Sequence, residues 1–149
     1  MTRTVANKLE IQELLARSAL ALDERDVAAL EDTFAKSAQL SIIVGDGIVS
    51  AESRQNKAEP IVFEGREAIM GLMTGSMEEQ ADLRRHVISN TIFESMGDDS
   101  AEVVSYLLIY AIENGGIRCV SSGIYRDRVE RKKRGWKIAR RLIDLDLPY

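Results

Sequence analysis

The sequence predicts an α+β fold in which helices from the first half close a curled antiparallel sheet built from the second. Three observations lead there. An amphipathic helix opens the chain, four long runs rich in β-branched residues fill the second half, and the joints between those runs read as hairpin loops.

The first helix runs from about Val5 to Asp23, with Ile11, Leu14, Leu15, Ala19 and Leu22 spaced to make one apolar stripe. Asp23 extends the buried edge of that stripe, although a carboxylate in the last turn faces the negative end of the helix dipole. Asp26 is the better cap for the next helix, Val27 to about Phe34, so capping leaves Asp23 unexplained. A group placed against both tendencies has a partner or a task. Gln39 to Val44 reads as a short strand. Residues 45–59 read as a long polar loop and a candidate lid before Pro60. A brief strand at Ile61-Val62-Phe63 precedes a helix from Arg66 to about Met77, with Ile69, Leu72 and Met73 inward.

Strands follow at about 83–95, 101–113, 117–131 and 135–146. The loops between them are Gly97-Asp98-Asp99, Asn114-Gly115-Gly116 and Lys133-Arg134-Gly135. Strands well beyond the usual ~5–6 residues must curl, and Gly123 is the expected bend. The result is a cone whose concave face the first helix closes. The strand at 101–113 is apolar on both parities: Val103, Leu107 and Ile109 on one, Val104, Leu108 and Ile112 on the other. One helical layer covers one face, so a homo-oligomer, dimer or trimer, is expected to cover the second.

A chain of 149 residues is expected to form a single domain over 1–149, and its 45% hydrophobic and 30% charged residues are those of a soluble globular protein. The net charge of −4 argues against nucleic acid as a partner, and no run has membrane-spanning length. One cysteine allows no intrachain disulfide, so a cytoplasmic location is expected. Cys119 is expected to be a buried small hydrophobe. With one histidine and one cysteine far apart, no metal site is expected, and no Gly-rich loop calls for a cofactor.

The single histidine concentrates the chemistry. His86 sits in the strand Arg84-Arg85-His86-Val87-Ile88-Ser89-Asn90-Thr91-Ile92, and histidine is the side chain suited to moving protons near neutral pH. Strand alternation puts His86, Ile88, Asn90 and Ile92 on one face. Further polar candidates for a small hydrophobic ligand are Asn90, Tyr125 beyond the bend, Tyr106 and Tyr110 on one strand face, and Arg140. Arg140 alternates with Trp136 and Ile138 and has Asp127 as the expected ion-pair partner. Arg141 has the opposite parity and would reach a pocket only across a bulge.

Several stretches resemble a known family. They are Ile11-Gln12-Glu13-Leu14-Leu15 with Ala21-Leu22-Asp23-Glu24-Arg25-Asp26, Phe63-Glu64-Gly65-Arg66-Glu67-Ala68-Ile69, Arg85-His86-Val87-Ile88-Ser89-Asn90, and Gly123-Ile124-Tyr125-Arg126-Asp127 leading to Gly135-Trp136-Lys137-Ile138. Together they resemble the SnoaL-like branch of the NTF2-like superfamily, whose fold is an α+β cone. Its scytalone dehydratase-like and dehydrochlorinase-like enzymes set a helix-one aspartate against a strand histidine, positions that fall on Asp23 and His86. The resemblance implies a cofactor-independent lyase or isomerase acting on a small apolar cyclic substrate, with His86 as general base and Asp23 orienting it. The alternative it implies is a non-catalytic ligand-binding or assembly subunit, like the small subunit of ring-hydroxylating dioxygenases. This chain departs from the fungal scytalone dehydratases in having one histidine rather than two, and from ketosteroid-isomerase-like members in having no tyrosine before Tyr106.

Overall fold

The computed structural model describes residues 2–52 and 58–149. Residues 53–57 of the expected loop lie outside them. Helix α1 (Arg3–Asp23) starts where the Thr2 hydroxyl accepts from the Val5 amide, and it buries Ile11, Leu14, Leu15, Ser18 and Ala21. Helix α2 (Val27–Thr33) is capped by Asp26, whose Oδ1 accepts from the Ala29 amide at 3.1 Å. Strand β1 (Phe34–Val44) begins earlier than its hydrophobic pattern indicated, because residues 34–38 already lie along the sheet. Strand β2 (Ile61–Glu64) and helix α3 (Arg66–Glu79) follow.

The second half is the expected meander. Strands β3 (Leu83–Met96), β4 (Ser100–Glu113), β5 (Gly116–Lys132) and β6 (Gly135–Leu145) pair antiparallel in sequence. The sheet order is β2-β1-β6-β5-β4-β3. β1 runs parallel to β6, and β2 folds back on it antiparallel. The sheet is thus open, with β2 and β3 at its edges.

The sheet curls over α1. At Gly123 of β5 a Cβ would stand 2.4 Å from the Asp144 carbonyl oxygen, so only glycine lets β6 approach this closely. The turn at Asn114 and Gly115 has both residues at positive φ, the primed geometry that matches strand twist. The main core sets Ile11 and Leu15 of α1 against Phe34, Leu40, Ile69, Val103, Val129 and Ile138. A smaller cluster of Leu107, Ile109, Tyr125 and Leu145 packs the concave face nearer β3. No helix among the described residues is long and apolar enough to cross a membrane.

Candidate active site

The ending of α1 explains Asp23. The Arg25 amide bonds back to the Leu22 carbonyl and that of Asp26 to Ala21, while Arg25 takes a left-handed φ of 56°. The backbone closes on itself, and the Asp23 side chain is free to reach β3. Its Oδ1 lies 2.5 Å from His86 Nδ1, and its Oδ2 accepts from the His86 amide at 2.9 Å. Both side chains are almost fully buried, 6% exposed for the ring and 5% for the carboxylate. Two bonds from one carboxylate to one residue fix the ring's orientation, and the contact favours the tautomer of the neutral imidazole that carries its proton on Nδ1.

His86 pairs with Ile109 across the ladder, on the concave face of the sheet. The dyad borders a cavity of about 400 Å³ between α1 and β3, lined by Gln12, Leu15, Ala16, Ala19, Leu20, Ile88 and Thr91. Its lining is mixed: Leu15, Leu20, Ile88 and two alanines supply the apolar part, and Gln12, Thr91 and the dyad itself the polar part. Among the described residues, no group of three or more His, Cys, Asp or Glu side chains is placed to hold a metal.

Of the residues singled out in the sequence, Asp23, His86 and Tyr125 reach the concave side. Tyr125 is 5% exposed, and its ring carries the Arg141 guanidinium at 4.0 Å. Burial pushes its phenol well above the ordinary tyrosine range, Arg141 offsets part of this, and the charges of Asp127 and Asp23 add to it. The phenol stays protonated and keeps a hydrogen to donate.

Four expectations of parity fail, and bulges explain two of them. Asn90 is exposed with φ of 53°, at a register shift between Ser89 and Ile92 that inserts a residue into β3. Beyond it the faces exchange, so Thr91 rather than Asn90 joins His86, and Ile92 is 62% exposed. In β6 the shift between Arg128 and Val129 spans Ala139. Arg140 is therefore turned to the outer face, 3.4 Å from Glu102, and Arg141 enters instead. Arg141 Nε and Nη2 grip the Asp127 carboxylate at 2.7 and 2.9 Å. Burial opposes the Arg141 charge, but Asp127 outweighs it and the guanidinium is held more firmly protonated than usual. Tyr106 and Tyr110 lie opposite Ser89 and Arg85 on the convex face, Tyr106 being 52% exposed, so neither reaches the groove. Cys119 pairs with Tyr110 on that same face and is exposed, not buried as expected. Sequence reasoning also missed Thr91; a left-handed Asn90 was the signal that could have found it.

The SnoaL-like domain family matches residues 3–142. The chain belongs to that family. Solved structures agree on the fold of this SnoaL-like domain. A Nostoc punctiforme protein of unknown function with a cystatin-like fold is 27% identical, with a TM-score of 0.75, over 99% of this chain and 98% of that one. An NTF2-like protein from Novosphingobium aromaticivorans is 21% identical, TM-score 0.75, over 96% of this chain and 84% of that one. From the same organism, a chain described as the beta subunit of a proposed aromatic-ring-hydroxylating dioxygenase is 16% identical, TM-score 0.76, over 97% and 92%. No curated protein matches the chain.

Proposed function

We propose that the whole chain acts as one SnoaL-like domain and is a cofactor-independent lyase or isomerase for a small, largely apolar ring. The observation that carries this is the doubly bonded Asp23–His86 pair beside the groove. Nε2 of His86 removes a proton from carbon or hydroxyl. The released electron pair forms the new double bond as the leaving group departs, or returns elsewhere in the ring for isomerisation. Asp23 stabilises the positive charge the imidazole then acquires. The Tyr125 phenol, held protonated on the same concave side but outside the lining of the groove, is the proposed donor for an oxygen of a substrate that extends past His86. A groove of this volume lies within the range that accepts single-ring to drug-sized ligands, and Leu15, Leu20 and Ile88 give it an apolar side facing the polar dyad.

The test is a set of hydroxylated and halogenated ring compounds followed by ultraviolet absorbance for new conjugation. Turnover by the native chain should fall about 10²–10⁴-fold in His86→Gln. Equal rates in both proteins would sink the base.

A second reading has its own observation. On the convex face, Val87, Ile92, Tyr106 and Ile117 are exposed side by side with the half-buried Val104, Leu108 and Ile112. Apolar surface of this kind is what self-association or a subunit contact covers. We therefore also propose a homo-oligomer joined through this face. A chain that binds rings and assembles, yet converts none of them, would be a non-catalytic ligand-binding or assembly subunit.

A further inference from the structure

Arg84 precedes His86 by two residues and pairs with Ala111 on the same concave face, so the two side chains stand about 7 Å apart along β3. Its Nε is fixed by Asp82 Oδ1 at 2.9 Å, which leaves the flat of the guanidinium unengaged by that bond. The Arg84 Cζ lies over the ring of Tyr149, 5.0 Å from its centroid.

The path of the chain after β6 brings it there. The Asp146 amide donates to the Ser122 carbonyl at 2.9 Å, the Ser122 hydroxyl donates to Asp146 Oδ2 at 2.5 Å, and the Ser121 hydroxyl donates to the Leu147 carbonyl at 2.7 Å. Residues 146–147 are thus tied to β5. Tyr149 then lies over β3, two strands further across the sheet, with the Arg84 stack as its anchor. Half of the tyrosine is exposed. Burial is nonetheless the first cause holding its phenol above the usual range, with Arg84 offsetting and the Asp23 charge adding.

We propose that the guanidinium face of Arg84 is a binding subsite for a planar aromatic ring beside His86, and that Tyr149 occupies it as a resident stand-in. An aromatic ligand enters by displacing the tyrosine ring and taking the same stack. The charge that favours Tyr149 there favours any electron-rich ring, a phenol above all. The subsite thereby narrows the substrate class of the proposed lyase from apolar rings to aromatic or hydroxyaromatic ones. It rests on that reading only in taking His86 as part of a ligand site, which the Arg84 subsite extends along β3 beyond the groove's own lining.

The probe is p-cresol, which is the tyrosine side chain cut free and carries no leaving group. Binding is followed through the ring resonances of the single histidine and by calorimetry. Native chain, Tyr149→Ala, Tyr149→Phe and the pair Tyr149→Ala/Arg84→Lys are compared. If Tyr149 fills the subsite nine-tenths of the time, freeing it should tighten p-cresol binding about tenfold. The His86 signals should shift on binding, and Tyr149→Phe should behave as the native chain, since its ring still stacks. Arg84→Lys keeps the charge but loses the plane, and should abolish the gain. Equal affinity in the native and Tyr149→Ala chains overturns the proposal. So does a gain that survives Arg84→Lys, or binding that leaves the His86 resonances unmoved. Binding as expected in a chain that converts no ring compound would leave the subsite standing and remove only the catalytic reading.

Discussion

Replacing Arg141 by methionine tests whether the interior is built around the Asp127–Arg141 pair. The two side chains are 0% and 5% exposed, and both guanidinium–carboxylate bonds are short, at 2.7 and 2.9 Å. Methionine keeps much of the volume and removes the charge, so Asp127 is left buried without its cation. Such a break costs about 3–5 kcal/mol. Loss of the cation from the Tyr125 face adds about 1 kcal/mol or more, though terms that share a partner do not sum cleanly. In a chain of this size each kcal/mol lowers Tm by about 2–4 °C, so a fall on the order of 10 °C is expected. Urea unfolding followed by circular dichroism reads the same loss as a lower midpoint with an unchanged slope. The double variant Asp127→Leu/Arg141→Met removes both charges and should return to within about 1–2 kcal/mol of the native chain. If Arg141→Met costs less than about 1 kcal/mol, or the double variant is no better than the single one, the buried-pair argument is wrong.

Three further outcomes are expected. Asp23→Asn should lower turnover of any identified substrate while leaving the fold intact, and the nitrogen resonances of His86 should report a changed tautomer balance; an unchanged balance would remove Asp23 from its orienting role. Stability should fall as pH rises past about 10, because the unfolded chain then loses tyrosine protons that the folded chain retains at Tyr125 and Tyr149, so the folded state binds more protons. Tyr125→Phe should flatten that alkaline decline, and thermal melts across pH 8–11 would show it. Asn90→Gly should be tolerated, whereas Asn90→Val should cost about 1–2 kcal/mol, since a β-branched residue resists the left-handed φ of 53°; equal melting temperatures would contradict the bulge.

Periodicity carried the fold far. The stripe of α1, the cap at Asp26 and the hairpin turns are all local signals, and each appears within a residue or two of its expected place. Asp23 was legible for a different reason: it violated the helix dipole and had no capping work, and an unexplained charge next to an apolar stripe implied a partner. The parallel pairing of β1 with β6 was not legible, because it depends on a contact between segments about a hundred residues apart. Nor was the side on which Tyr149 would settle, since nothing in its own neighbourhood specifies Arg84.

The polar lining failed in a more instructive way. Alternation assigns a side chain to a face only while the ladder stays in register, and a curled sheet cannot stay in register throughout. The shift at Asn90 exchanges Asn90 for Thr91, the shift at Ala139 exchanges Arg140 for Arg141, and the shift at Val120 turns Cys119 outward. Each bulge supplies curvature and, by the same inserted residue, changes which side chains the concave face receives. His86 escapes because it lies before the first shift in β3, in a stretch where parity still holds. The dyad is therefore the part of the site that alternation could find, and the Arg141–Asp127–Tyr125 group is the part that exists only because the sheet bends.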